Sequence, residues 1–424
     1  MFLAKYFSAQ LSTESFVSDI TTLDVLGKKL PELQDWAVLL AKGKWAGSAE
    51  KAQLWIRQDV YLTSIAIEQF VQAVHGKEGN FSWRAKDRVG NFVEEIAFED
   101  TRPMLVWTTI PCAELGEEEL ASVEVLEVDV NIRYLDMPVP ESHLGVSIVQ
   151  LPVSDAIVMP TGHWSQVLWT NLFAMESFLL RELLGHNLGV VLWRLCKAVL
   201  KMRSFSKHKL IGAYVQQGTN CRIHPSAVVE GSLLGNNVVI GANAVVRGSV
   251  LRDNVRVEDL ALVEGSVLSD GVVVQRQAMV KFSVLAEKSS VAGVMQLGVL
   301  GVGASVKRGA YLMDLHFSGP VRVFHNRVLK DAVLGMLGVC VQAHTAIGLG
   351  VRIAAGRLVP PMLNIVMDPA DILHNIKKIE RPHSANEISA TQDSAMINPL
   401  NKQLCMVIQG TLVPQEKPIK EENK

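Results

Sequence analysis

Val229-Glu230-Gly231-Ser232, Val246-Arg247-Gly248-Ser249, Val263-Glu264-Gly265-Ser266 and Val280-Lys281-Phe282-Ser283 recur at a spacing of 17 residues. Around them, aliphatic residues fall at Ile223, Val229, Leu234, Ile240, Val246, Leu251, Val257, Val263, Leu268, Val274, Val280, Leu285 and Val291, at intervals of six, six and five. Such a cycle describes a triangular coil with three short strands per turn and one shortened corner. Each strand turns an aliphatic side chain inward, and the corners take Gly, Asn or Asp, which tolerate tight turns. One coil cannot bury its apolar residues, whereas a stack of coils about 4.8 Å apart can. Residues from about 221 to 361 therefore read as a parallel β-helix, and the hexad spacing points to its left-handed form.

Working outward, the regularity breaks after Val291, where the continuation through Val306 is two residues short. Residues 314–334 then lack hexads and contain Gly319-Pro320, so they read as a loop leaving the coil. The hexads return at Gly335, Val341, Ile347, Ile353 and Val359, and Pro360-Pro361 ends them. Loops that leave a rigid solenoid are where such proteins carry chemistry. Ser289–Val306 and Ala332–Val351 are long uncharged runs, but their glycines and their place in the repeat assign them to the coil rather than to a membrane.

The flanks read differently. Trp164–Leu184 has apolar residues near helical spacing and is expected to be an amphipathic helix. A second helix is expected over Leu188–Met202, with Arg194, Lys197 and Lys201 on a basic side. It fits a plug on the open end of the solenoid better than a membrane-surface segment. Ile372, Leu373, Ile376 and Ile379 mark a short helix, and Gln415–Lys424 is expected to be disordered. Towards the N-terminus, Leu54-Trp55-Ile56 suggests a strand and Thr63–Val74 a helix, with further strands at Met104–Thr109, Val123–Val128 and Val146–Leu151. The expected organisation is an α/β domain over 1–160, connecting amphipathic helices over 161–206, a left-handed β-helix over 207–366, and a short helix with a partly disordered tail over 367–424.

A formal net charge of −2 gives no electrostatic reason to expect nucleic acid or an anionic membrane as partner. The five cysteines are odd in number and scattered, which suits a reducing cytoplasm. No His/Cys or carboxylate cluster has metal-ligand spacing.

This order of α/β domain, connecting helix and hexapeptide solenoid resembles the sugar-1-phosphate nucleotidyltransferases, especially the bifunctional nucleotidyl/acetyltransferases that act on glucosamine 1-phosphate. His163-Trp164-Ser165-Gln166-Val167-Leu168-Trp169-Thr170-Asn171 is similar to the Pro-Trp-Asp-Leu-Leu-x-x-Asn stretch linking their two domains. Ile223-His224-Pro225-Ser226-Ala227-Val228-Val229 resembles a common opening of hexapeptide transferases. Gly319-Pro320-Val321-Arg322-Val323 resembles their sugar-binding loop, and Gly348–Pro361 their closing coils. The resemblance implies an acyl-CoA donor such as acetyl-CoA, a sugar phosphate or nucleotide sugar as the other substrate, and a homotrimer with sites between subunits. Mg2+ would be needed only if nucleotidyl transfer is retained. The family's N-terminal Gly-rich phosphate loop has no counterpart in residues 1–60, where Leu26-Gly27-Lys28-Lys29-Leu30-Pro31 is the nearest fragment. Acyl transfer is therefore expected before nucleotidyl transfer.

Acyl transfer needs a base to deprotonate the acceptor, most often a His. His316 and His325 lie on the excursion loop, with Asp314 close enough in sequence to orient one of them. The family's Asn-Leu-Arg-His order places Asp314 at the Asn and Phe317 at the His. Arg322, Lys330, Lys281 and Arg276 are the candidate cations for a phosphate. The plain alternative is that all of these are solvated surface residues. His344 and His224 read as coil and corner positions. The competing function is a non-catalytic assembly or ligand-binding module descended from such enzymes.

Overall fold

The computed structural model describes residues 3–7, 24–44, 52–98, 100, 102–109, 120, 122–138, 147–184, 215–316, 319–368, 405–408 and 411–413. The expected helices at 188–202 and 372–379 and the tail from 415 lie outside these residues.

The N-terminal part is built on a five-stranded sheet in the order Leu3–Phe7, Gln53–Arg57, Leu105–Thr108, Asn80–Ala85, Glu124–Val128. Four strands run parallel, and Leu105–Thr108 is antiparallel to both its neighbours. Helices α1 (Leu30–Lys44), α2 (Ser64–Val74) and α3 (Asp87–Ile96) accompany it. Thr63 caps α2 by accepting from the Ala66 amide, satisfying one of the helix's free donors. A separate antiparallel pair, Ile132–Pro138 with Ile148–Ser154, packs against the next helix, α4 (Trp164–Leu184).

The second part is a parallel β-solenoid with three sheets, one of eight strands, one of seven, and a third whose parallel strands run from Arg222–Ile223 to Leu363–Val366 and which Cys405–Ile408 and Thr411–Val413 extend antiparallel. Partners in all three are displaced by one coil, as in Val229↔Val246 and Val246↔Val263. The inward aliphatic residues form a core of their own that includes Val246, Val263, Val280, Leu268 and Val274, all fully buried. Its register survives the phase break. Only two residues, Ala292 and Gly293, join Ser290–Val291 to Val294–Gln296, where the previous coil uses four, and Met279 still pairs with Val294. The deletion shortens a corner and leaves the strands in step.

The Val-Xaa-Gly-Ser repeat has a direct structural cause. Its third residue sits at a corner in the left-handed region, with φ of 53°, 52° and 55° at Gly231, Gly248 and Gly265, a conformation glycine adopts at little cost. Phe282 and Leu297 continue that column at 45° and 50°. The serine that follows builds a ladder: Ser232, Ser249 and Ser266 each accept the amide of the next coil's serine at 3.1 Å. Each hydroxyl also donates to the carbonyl two residues earlier, so no buried polar atom of the ladder is left over.

Helix α4 joins the two parts. It reads in sequence as amphipathic, yet residues 164–175 are buried on every side. It lies between the N-terminal sheet and the outer surface of the eight-stranded sheet, whose Leu233, Val250, Val267, Val284 and Val299 share one core with Trp164, Leu168 and Leu172. Its 21 residues, about 30 Å long, equal the height of roughly six coils, and it contacts the strands Val267–Leu268 and Val299–Leu300. Three of its polar side chains are satisfied by other elements, whereas the buried Trp164 indole N–H has no partner. Gln166 Nε2 donates to the Ile96 carbonyl, Asn171 Oδ1 accepts from the Leu26 amide, and Thr170 donates to the Pro160 carbonyl. No helix among the described residues is long and apolar enough to cross a membrane.

Candidate active site

The chain leaves the coil after Tyr311–Leu312 and re-enters it at Cys340–Val341, and between them it forms an antiparallel hairpin, Arg322–His325 with Val328–Asp331. Asn326 and Arg327 make its two-residue turn with φ of 49° and 66°, the pattern of a type I′ turn. The excursion is tied down at both ends. Leu337 donates to the Asp314 carbonyl at 3.1 Å, Ala332 to the Val321 carbonyl at 2.8 Å, and Arg357 Nη1 to the Arg322 carbonyl at 3.3 Å. Val321, Val323, Val333, Met336 and Leu337 are buried in the core shared with α4. The segment that reads as a loop is thus a packed element with exposed edges.

Its inner edge meets the N-terminal part at an aromatic cluster. Phe98 stacks on His325 with ring centroids 4.5 Å apart, and its edge meets His163 at 5.1 Å. His163 is completely buried. Its Nδ1 accepts from the Ser165 amide at 3.2 Å and from the Ser165 hydroxyl at 2.7 Å. The ring proton therefore resides on Nε2, which donates to the Phe324 carbonyl at 3.0 Å. Among the residues singled out in sequence, His325 is thereby drawn into the junction between the two parts. His163 had appeared only as the start of the linker resemblance, and Phe98 carries no sequence signal.

The remaining candidates fall into two groups. Asp314, His316, Arg322 and Lys330 all belong to the excursion, with His316 and Arg322 exposed and Asp314 and Lys330 half-buried; Lys330 stands opposite Val323, and so on the other face of the hairpin from Arg322. Arg276 and Lys281 lie on earlier coils. Arg276 pairs with Asp259 at 2.9 Å, and Lys281 pairs with Glu264 at 3.0 Å. Lys281 stacks below Gln296, about two coils, or roughly 10 Å, from the rung on which the excursion departs. His344 is exposed at a left-handed corner of φ 56°, with its ring against Gly303, and His224 is an exposed corner residue bonded to Ser226.

A charged group not foreseen in sequence sits at the carboxyl edge of the N-terminal sheet, where open α/β sheets bind ligands. Arg57 is buried and bidentate to Asp59, at 2.6 and 3.3 Å, and also reaches Asp100. Arg102 pairs with Asp100 at 2.7 Å. Burial raises the Asp100 carboxyl, but hydrogen bonding from Arg102 and the charge of Arg57 outweigh it and hold it below the usual carboxylate range. Two arginines and two carboxylates cancel, so a nucleotide phosphate would have to displace a carboxylate to reach either guanidinium. By the same token neither carboxylate is open to a divalent cation.

Residues 226–302 match a family profile described as GlmU-like, C-terminal hexapeptide. The chain accordingly contains a hexapeptide-repeat left-handed β-helix. No curated protein shows significant similarity to the sequence. Among solved structures, a putative acetyltransferase of Bacillus cereus is similar at 15% identity over 43% of this chain and 91% of its own, with a TM-score of 0.17. A UDP-N-acetylglucosamine acyltransferase of Francisella novicida is similar at 16% identity over 36% of this chain and 66% of its own, with a TM-score of 0.15. A polysialic-acid-specific acetyltransferase is similar at 15% identity over 43% and 97%, with a TM-score of 0.15. At these values the structural likenesses bear on neither activity nor substrate.

Proposed function

We propose that the chain is a hexapeptide-type acyltransferase that moves an acyl group from acyl-CoA to a sugar phosphate or nucleotide sugar in the cytoplasm. The observation that carries this reading is the excursion at 314–334, a hairpin pinned to a hexapeptide solenoid, with His316 and Arg322 exposed on it and Asp314 two residues before His316. In this role His316 takes the proton from the acceptor amine or hydroxyl as that group attacks the thioester carbonyl. The C–S bond then breaks, and the CoA thiolate leaves and is protonated. Arg322, on the exposed face of the hairpin, supplies charge for the acceptor phosphate, while Lys330 lies on the opposite face beside Val323. His325 acts by holding the hairpin against Phe98 rather than by proton transfer.

The test is calorimetric titration with acetyl-CoA, followed by thiol release in the presence of glucosamine 1-phosphate and a panel of sugar phosphates and nucleotide sugars. Saturable binding and acceptor-dependent thiol release are expected. No binding at millimolar donor would overturn the reading. A second reading, in which the N-terminal domain only recognises a ligand or organises the chain, is favoured for that domain alone by the internal pairing of Arg57, Asp59, Asp100 and Arg102.

A further inference from the structure

The three outer faces of the solenoid differ in what covers them. The eight-stranded face is occupied by α4. The face beginning at Arg222–Ile223 carries Arg222, Val239, Arg256, Val273, Ser290 and Ser305 outward, a mixed surface in which polar residues separate the two valines. The seven-stranded face carries two columns. One is apolar: Val228, Val245, Leu262, Met279, Val294 and Tyr311, with Val228 and Tyr311 exposed at the ends. The other is charged and alternates in sign: Glu230, Arg247, Glu264 and Lys281. Within the chain it forms two ion pairs, Glu230–Arg247 at 2.9 Å and Glu264–Lys281 at 3.0 Å.

Beside the middle of the apolar column stands Leu260. It is 52% exposed and occupies a left-handed corner of φ 60°, where the coils before and after place Asn243 and Gln277. A leucine there costs about 1–2 kcal/mol in backbone energy and leaves half of its surface in water. An exposed leucine at a strained corner, next to an apolar column, marks a surface that another molecule covers.

We propose that this face docks a second copy of the chain with its solenoid axis reversed. The argument is one of symmetry. A two-fold axis lying in the interface, parallel to the strands and midway between the coils of Arg247 and Glu264, reverses the order of coils but leaves each column facing itself. Read upward the charges run Glu, Arg, Glu, Lys, and read downward Lys, Glu, Arg, Glu, so every position meets the opposite sign. Arg247 then faces the partner's Glu264, and Glu230 faces the partner's Lys281. Val245 meets the partner's Leu262, with Leu260 beside it at the centre of the contact. The trimer implied by the sequence resemblance has parallel axes and sets coils of equal height side by side, which leaves this reversed complementarity without use. Four coils span only about 20 Å, so the contact falls at the small end of specific interfaces and the dimer is expected to be weak.

The test uses the full chain. Natural-abundance and 15N-labelled protein are mixed, treated with a zero-length carbodiimide, and digested for mass spectrometry. Within one chain Lys281 lies three coils, roughly 14 Å, from Glu230, too far for a direct amide, so a Lys281–Glu230 link arises only between chains. A mixed-isotope Lys281–Glu230 peptide is expected, together with concentration-dependent dimers in sedimentation equilibrium. Leu262→Asp, at a partly exposed position, is expected to raise the dimer dissociation constant at least ~tenfold while leaving the circular dichroism spectrum unchanged. A chain that stays monomeric at every accessible concentration, a trimer, or a dimer lacking that mixed-isotope peptide would each overturn the proposal.

Discussion

Phe98 and His325 are 227 positions apart in sequence, yet their rings stack at 4.5 Å with planes 23° apart, and this contact fastens the solenoid's hairpin to the N-terminal domain. Aromatic pairs of this kind contribute about 0.5–1.5 kcal/mol beyond their buried area. Phe98→Ala is therefore expected to destabilise the junction by about 1–2 kcal/mol. Hydrogen exchange is the check: amides of the 322–331 hairpin should exchange faster in the variant, while those of the coils at 240–285 keep their protection. Uniform acceleration across the chain would mean that the contact supports the whole fold rather than the junction.

The glycine column offers a test of corner strain against packing. A Cβ at Gly248 would meet nothing within 4 Å, so Gly248→Ala pays only for the left-handed φ of 52°, about 1 kcal/mol. A Cβ at Gly265 would come within 2.6 Å of the Phe282 ring, so Gly265→Ala adds an overpacking cost of about 1–3 kcal/mol. In a Phe282→Gly background that excess should vanish, leaving the two alanine variants equal in denaturant unfolding.

The solenoid was legible in sequence because its energetics are local and periodic. Glycine at a left-handed corner, serine on the ladder and an inward valine each recur with the coil. The loss of two residues at Ala292-Gly293 looked like a failure of the repeat, since a sequence pattern cannot tell a shortened corner from a shifted strand. The junction was hidden for a different reason. Gln166 answers to Ile96 and Asn171 to Leu26, 70 and 145 residues away, so α4 looks amphipathic in sequence although both of its faces are buried. The paired charges at 57, 59, 100 and 102 leave no periodic trace either. Of the candidate site, sequence reasoning located the excursion but did not separate its exposed His316 from the clamped His325.

Acid should weaken the N-terminal domain through Asp100. Its carboxyl is held below the usual range in the folded protein, against burial, by Arg102 and Arg57. A depressed carboxyl contributes stability that is fully present above the unfolded value of about 3.9 and is lost as pH falls through the folded value. Asp100→Asn is expected to cost about 1–3 kcal/mol at neutral pH and to flatten the acid limb of a plot of Tm against pH. An unchanged acid limb would place the acid-sensitive group elsewhere.

His316 and His325 are separated by paired substitutions. If His316 is the base, His316→Ala should lower turnover by about 100- to 10,000-fold while acyl-CoA binding is retained. His325→Phe preserves the stack on Phe98 and removes both ring nitrogens, so it should leave turnover near that of the parent protein. His325→Ala removes the stack as well and should raise the KM for the acceptor by loosening Arg322 on the hairpin. The assay is acceptor-dependent thiol release across a pH series. A collapse of turnover in His325→Phe, with His316→Ala unaffected, would move the proton-transfer role to the junction and reverse the assignment.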